Sequence, residues 1–146
     1  MANDFNEASD VLMKHKHMSA TVGTQYPAAE HFIAGIRAAS DRSWEKSIVA
    51  LSESYRLESR PMTSYYLASS QMSASKWAEA AATIDELLRS KGKILMDGPV
   101  SLIPLSQLDL AICSQRLGDV TRAEELLQAF NTLWKDADPE LRGQVK

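Results

Sequence analysis

Between Pro27 and Pro61 the apolar residues Phe32, Ile33 and Ile36, then Trp44, Ile48, Leu51 and Tyr55, fall at three- and four-residue steps, and no stretch alternates strictly with period two. This spacing predicts two helices separated near Ser40-Asp41-Arg42-Ser43. The arrangement returns from Pro61 to Lys91. Tyr65, Tyr66, Leu67 and Met72 mark a first helix, Ser73-Ala74-Ser75 a break, and Trp77, Ala80, Ile84, Leu87 and Leu88 a second helix. It returns again from Pro104 to Lys135, with Leu105, Leu108, Leu110 and Ile112, a turn at Gly118-Asp119, then Val120, Ala123, Leu127 and Phe130. Pro61 and Pro104 are expected to open the first helices of their pairs, where a missing N–H costs nothing.

The pattern has an internal repeat. A large apolar residue is followed at +3 by a small one and at +7 by another apolar one in Phe5-Ala8-Leu12, Trp44-Ser47-Leu51, Trp77-Ala80-Ile84 and Val120-Ala123-Leu127. The start-to-start intervals are 39, 33 and 43 residues. The small residue lets neighbouring helices approach, and the apolar residue one turn later fills the space between them.

Helix pairs recurring at about 34 residues with this small and large spacing resemble the tetratricopeptide repeat family. The likeness covers roughly residues 28–137. In the first helices, the family's large residue, Leu-Gly and Tyr read here as His31, Ala34-Gly35 and Ala38; Ser64, Leu67-Ala68 and Gln71; and Gln107, Leu110-Ala111 and Ser114. The closing proline is displaced: Pro61 and Pro139 lie 14 and 16 residues beyond Ser47 and Ala123. The resemblance implies an all-α, right-handed array of antiparallel helix pairs. Its repeats run at about 28–60, 61–94 and 104–137, with a longer connection over 94–103, an N-terminal helix and loop over 1–27 and a polar tail over 138–146. A narrower likeness joins Trp77 to Leu141, through Leu133-Trp134-Lys135-Asp136-Ala137-Asp138-Pro139, to the terminal repeats of large bacterial regulators that carry a kinase or winged-helix domain. It implies an interaction, ligand-sensing or dimerisation module of a regulator. No kinase motif or basic recognition helix occurs in this chain.

A helix pair cannot bury both faces alone, so the ends of an array need polar caps or partners. Phe5 to Lys14 reads as a second helix without its first, with Asp4 and Glu7 placed as a capping pair. Few residues follow Leu127, Phe130 and Trp134. Association of two copies through these ends is one expectation.

In this family the inner surface is lined by the first helices, and a common ligand mode clamps a peptide carboxylate with several bases. Counting from Ala28, Pro61 and Pro104, the groove positions carry over to residues that include Phe32, Ile36, Tyr65, Met72, Leu108 and Ile112, with Arg116 the one base near them. A single base makes no carboxylate clamp. The expected occupant is an apolar or aromatic segment: a partner's amphipathic helix or the chain's own Phe5 to Tyr26.

Composition narrows the remaining chemistry. The 146 residues are 45% apolar and 24% charged, with a net charge of −3. Acids and bases are interspersed, which gives no basic face for direct nucleic-acid binding. No window of 18 apolar residues suits a membrane span. One cysteine, Cys113, excludes an internal disulfide, and the chain reads as cytoplasmic. His15 and His17, two apart, face different sides of a helix, so no metal site is expected. Arg89, Lys91, Gly92 and Lys93 lack the preceding strand and the Lys-Ser/Thr of a phosphate loop, and Gly92 reads as a helix C-terminal glycine. Cys113 has no cationic neighbour to activate it. Trp44 and Trp77, at equivalent repeat positions, read as core. No cofactor and no catalytic constellation are expected.

Overall fold

The computed structural model describes residues 26–135, and these form seven helices and no strand. They are α1 (Pro27–Ser40), α2 (Trp44–Leu57), α3 (Pro61–Ser73), α4 (Trp77–Arg89), α5 (Lys91–Asp97), α6 (Leu102–Arg116) and α7 (Val120–Trp134). The Phe5 to Lys14 helix and the 138–146 tail lie outside the described residues.

Three pairs, α1/α2, α3/α4 and α6/α7, are each closed by the same turn. The helix ends when one residue enters the left-handed region: Arg42 at φ 54°, Ser75 at 60° and Gly118 at 84°. In each turn this residue's amide donates to the carbonyl three back, on Ala39, Met72 or Gln115, at 2.9, 2.9 and 3.1 Å. The next amide, of Ser43, Lys76 or Asp119, donates five back to Ala38, Gln71 or Ser114 at 2.8, 2.8 and 2.9 Å. This pair of bonds is the Schellman motif, which satisfies carbonyls that a helix end leaves free. Only the third turn uses glycine. Arg42 and Ser75 hold a conformation that costs an L-residue roughly 1–2 kcal/mol, so tertiary packing must hold those turns closed.

Each helix packs on the next in chain order, with α4 passing over the short α5 to reach α6. These contacts are those of a helical repeat. The three small residues of the second helices, Ser47, Ala80 and Ala123, are all buried. Leu51 and Ile84, one turn later, are 0% and 1% exposed. Leu51 crosses α1 at Gly35, where an added Cβ would lie 2.5 Å from Leu51 Cγ. Ala68 and Ala111 are the buried counterparts of Gly35 in α3 and α6. Two core clusters follow. Ile36, Ile48, Leu51 and Leu67 join the first pair to the second, and Ala68, Ala80, Ala81, Ile84, Leu110 and Cys113 join the second to the third.

Two sequence expectations are corrected between the second and third pairs. Gly92 does not terminate a helix; it is the second residue of α5. Ser90 turns the chain between α4 and α5 at φ −94°, without a left-handed residue. Continuing as helix brings Ile94 inward, where it is buried with Leu87 and Leu102, and that burial outweighs the poor helix propensity of Gly92. Pro104 does not open α6, which begins two residues earlier at Leu102, again because Leu102 is buried in this cluster. The N1 prolines are Pro27 and Pro61.

Polar side chains tie neighbouring pairs together at and just before their second helices. Lys76 pairs with Glu45 at 2.9 Å, Tyr55 donates to Glu86 at 2.9 Å, and Arg122 grips Asp85 with two bonds of 2.6 and 2.7 Å. Among the described residues no helix is long and apolar enough to cross a membrane.

Two substitutions test these backbone demands. Gly35→Ala forces a methyl against the fully buried Leu51; overpacking of roughly 1–3 kcal/mol exceeds the ~1 kcal/mol gained in helix propensity, so the melting temperature falls. Nothing lies within 4 Å of a Cβ at Gly118. Gly118→Ala therefore costs only its left-handed backbone, about 1 kcal/mol, read from urea midpoints.

Candidate inner-face site

The residues expected to line a groove separate into two environments. Ile36 is a core residue: it is 3% exposed and packs against Ile48, Leu51 and Leu67. The close approach allowed by Gly35 draws its neighbour Ile36 into the interior. Phe32, Tyr65, Met72, Leu108 and Ile112 are partly buried, and Phe32, Tyr65 and Met72 pack against the core clusters. Arg116 is exposed, and its guanidinium lies over the Trp77 ring at 5.4 Å from the centroid. That cation–π contact links α6 to α4.

The partly buried residues form a row across the first helices. Phe32 of α1 meets Tyr66 of α3 edge to face, with centroids 5.8 Å apart. Tyr66 meets Tyr65 in the same manner at 5.9 Å. Tyr65 in turn lies within electrostatic reach of Asp109 on α6. The repeat register explains the order. Ile33, Tyr66 and Asp109 are separated by 33 and 43 residues, as are Trp44, Trp77 and Val120. Phe32 and Tyr65 are likewise equivalent. At the first junction the first residue of this doublet, Phe32, meets the second residue of the next, Tyr66.

Asp109 was not among the groove residues drawn from sequence. Its signal was present: it is the one acid in the otherwise uncharged run from Leu102 to Gln115, at the place that Tyr66 fills in the preceding pair. Burial pushes its carboxyl up to about 6. Burial also raises the Tyr65 phenol to about 12, with Asp109 and then Tyr66 adding to the effect. The Cys113 thiol, one turn from Asp109, is raised to about 11 by burial and then by Asp109. At neutral pH the phenol and thiol are protonated and the carboxyl is mainly ionised. Cys113 is fully buried, so it offers no reactive thiolate. No Lys, Arg or His among the described residues is in ion-pair distance of Asp109.

The other sequence candidates have local roles. Lys93 donates from Nζ to the Ser59 hydroxyl at 2.8 Å and carbonyl at 3.2 Å, tying α5 to the end of α2. Trp44 and Trp77 are partly buried, and Trp77 packs on the second core cluster. His31 is partly buried near Glu53, whose carboxyl is held down first by Arg56. His15 and His17 lie outside the described residues. On α7, Leu127 occupies the place of Leu51 and Ile84 but is 41% exposed. It lines an open groove of about 580 Å3 with Glu124, Gln128, Asn131, Thr132 and Lys135.

No protein-family model, curated protein or solved structure matches this chain.

The raised carboxyl gives a pH signature. The unfolded chain releases the Asp109 proton near the ordinary value of 3.8, and the folded protein releases it near 6. Between these values the folded state binds more protons, so stability falls as pH rises from about 4 to 6. Asp109→Asn is expected to melt higher than wild type at pH 7, by about 1–2 kcal/mol after allowance for partial exposure. Thermal melts across that range should show a flatter profile for the variant.

Proposed function

We propose that this protein is a non-catalytic interaction module of the tetratricopeptide kind, a right-handed array of helix pairs whose inner face binds an apolar or amphipathic helical segment of another protein. The observation that carries this reading is the row of partly open aromatic rings, Phe32, Tyr66 and Tyr65, along the first helices. Ordered rings give large contact area at low entropic cost, which suits them to be binding anchors. Met72, Leu108 and Ile112 extend the apolar surface along α3 and α6. Three identical turns and the small residues at the helix crossings support the family reading independently of the rings. The likeness of the C-terminal repeats to those of bacterial regulators supports a place in a cytoplasmic regulatory assembly, with any DNA contact made by another component.

Selection of a phage-displayed library of random 16-residue peptides against the immobilised full chain tests the reading. Enriched peptides are expected to place apolar residues three and four apart. Tyr65→Ser combined with Leu108→Ser should weaken their binding at least tenfold while circular dichroism stays helical. Because Tyr65 also packs beside Ile94 and Leu102, Met72→Gln serves as a second variant, and Val49→Ser, on an exposed position, should leave binding unchanged. Absence of enriched peptides, or binding indifferent to all the inner-face variants, overturns the groove.

A further inference from the structure

We propose that the outer face of α7 is a self-association surface, on which a second copy of this chain docks its own α7 antiparallel about a two-fold axis. The contact is separate from the inner-face groove and does not depend on it.

The repeat register marks this face. Glu124, Leu127 and Asn131 stand where α4 has Ala81, Ile84 and Leu88 and where α2 has Ile48, Leu51 and Tyr55. In the first two pairs this face meets the next first helix. Ile48 and Leu51 pack with Leu67 of α3, and Ala81 and Ile84 pack with Leu110 and Cys113 of α6. On α7 the equivalent Leu127 is exposed and lines the open groove of about 580 Å3. Leu127 and the hydrocarbon stems of its neighbours make that lining chiefly apolar. Glu124 and Asn131, however, replace apolar residues. The apolar first helix of a further repeat would bury their carboxylate and amide without partners, at a cost that disfavours it. The occupant of this face has to answer a carboxylate, two amides and an ammonium as well as a leucine.

A second copy does so. In an antiparallel pair of identical helices, residues equally far from the midpoint on opposite sides face each other. With the midpoint between Ala129 and Phe130, the six residues of the groove pair off completely: Glu124 with Lys135 of the second copy, Leu127 with Thr132, and Gln128 with Asn131. The two-fold axis repeats each pairing, as in any contact between identical faces. Carboxylate and ammonium then meet at both ends, and amides that both donate and accept meet near the middle. Parallel docking would set Glu124 against Glu124 and Lys135 against Lys135, so charge selects the antiparallel arrangement. The two charges stand three turns apart on one side of α7. Neither forms an ion pair among the described residues. The face is one helix wide and about 16 Å long between its charges, short of the roughly 800 Å2 per partner of a stable interface. The dimer is therefore a weak one.

Sedimentation velocity of the full chain tests this. Between roughly 5 and 500 µM, where contacts of this size associate, a monomer–dimer equilibrium is expected. Glu124→Lys brings like cations together at both ends, and Lys135→Glu like anions; each should weaken association about tenfold. Combining Glu124→Lys with Lys135→Glu restores opposite charges and should return the wild-type constant. Leu127→Gln should also weaken the dimer, whereas Met72→Gln, on the inner face, should leave it unchanged. Added salt should weaken the wild type and the double reversal alike. A chain that stays monomeric across the range, the outcome if its own residues 136–146 cover α7, overturns the proposal. A dimer indifferent to the single reversals, or not restored by the double one, overturns it equally. Circular dichroism of each variant verifies that the helices are retained.

Discussion

Leu51 is fully buried because Gly35 has no side chain. With any Cβ at Gly35 the α1 and α2 backbones would have to separate, and Ile36, Ile48 and Leu67 would lose the contacts that enclose Leu51. The same device recurs with alanine, where Ala68 and Ala111 permit the second and third crossings. Spacing between helices sets which residues are core and which remain at the surface. It draws Ile36 inside while Phe32, one turn earlier, keeps an open side. The row of partly buried rings is thus a consequence of how closely the backbones approach.

That closeness has a second consequence in the composition of the core. Serines fill many of the tight places, and their hydroxyls are satisfied locally. Ser47 and Ser70 share a bond of 2.9 Å across the α2/α3 junction, and Ser70 also donates to the Tyr66 carbonyl. Ser54 donates to the Ala28 carbonyl at 2.8 Å, and Thr83 donates to Gln71 at 2.9 Å. Small polar residues allow close packing without a large apolar volume, provided each finds a partner. In the third pair Ser106 Oγ and Gln107 Oε1 on α6 find none among the described residues. These two atoms put two unpartnered buried polar groups on one helix. The polar satisfaction seen between the first two pairs weakens at α6.

The charged residues of these helices meet different surroundings. Arg122 and Asp85 meet in a two-pronged pair between the second helices, and Arg116 covers Trp77, so these charges are spent on holding pairs together. Asp109 does the opposite, since its ionisation opposes burial.

Periodicity and the Trp-Ser-Leu and Trp-Ala-Ile triplets determined the helices, their pairing and the three turns, because those depend on local spacing and on residues a few positions apart. Phe32, Tyr65 and Leu108, made equivalent by the register of 33 and 43 residues, are all partly buried. Three things were decided only by tertiary structure. The helix at Lys91–Asp97 forms because Ile94 finds a buried place beside Leu87 and Leu102, a contact no local pattern contains. Ile36 is core because of a crossing distance set by Gly35 and a leucine 16 positions away. Asp109 gains its raised carboxyl from the burial that neighbouring helices impose, and burial is a property of the assembled pairs rather than of any segment of chain.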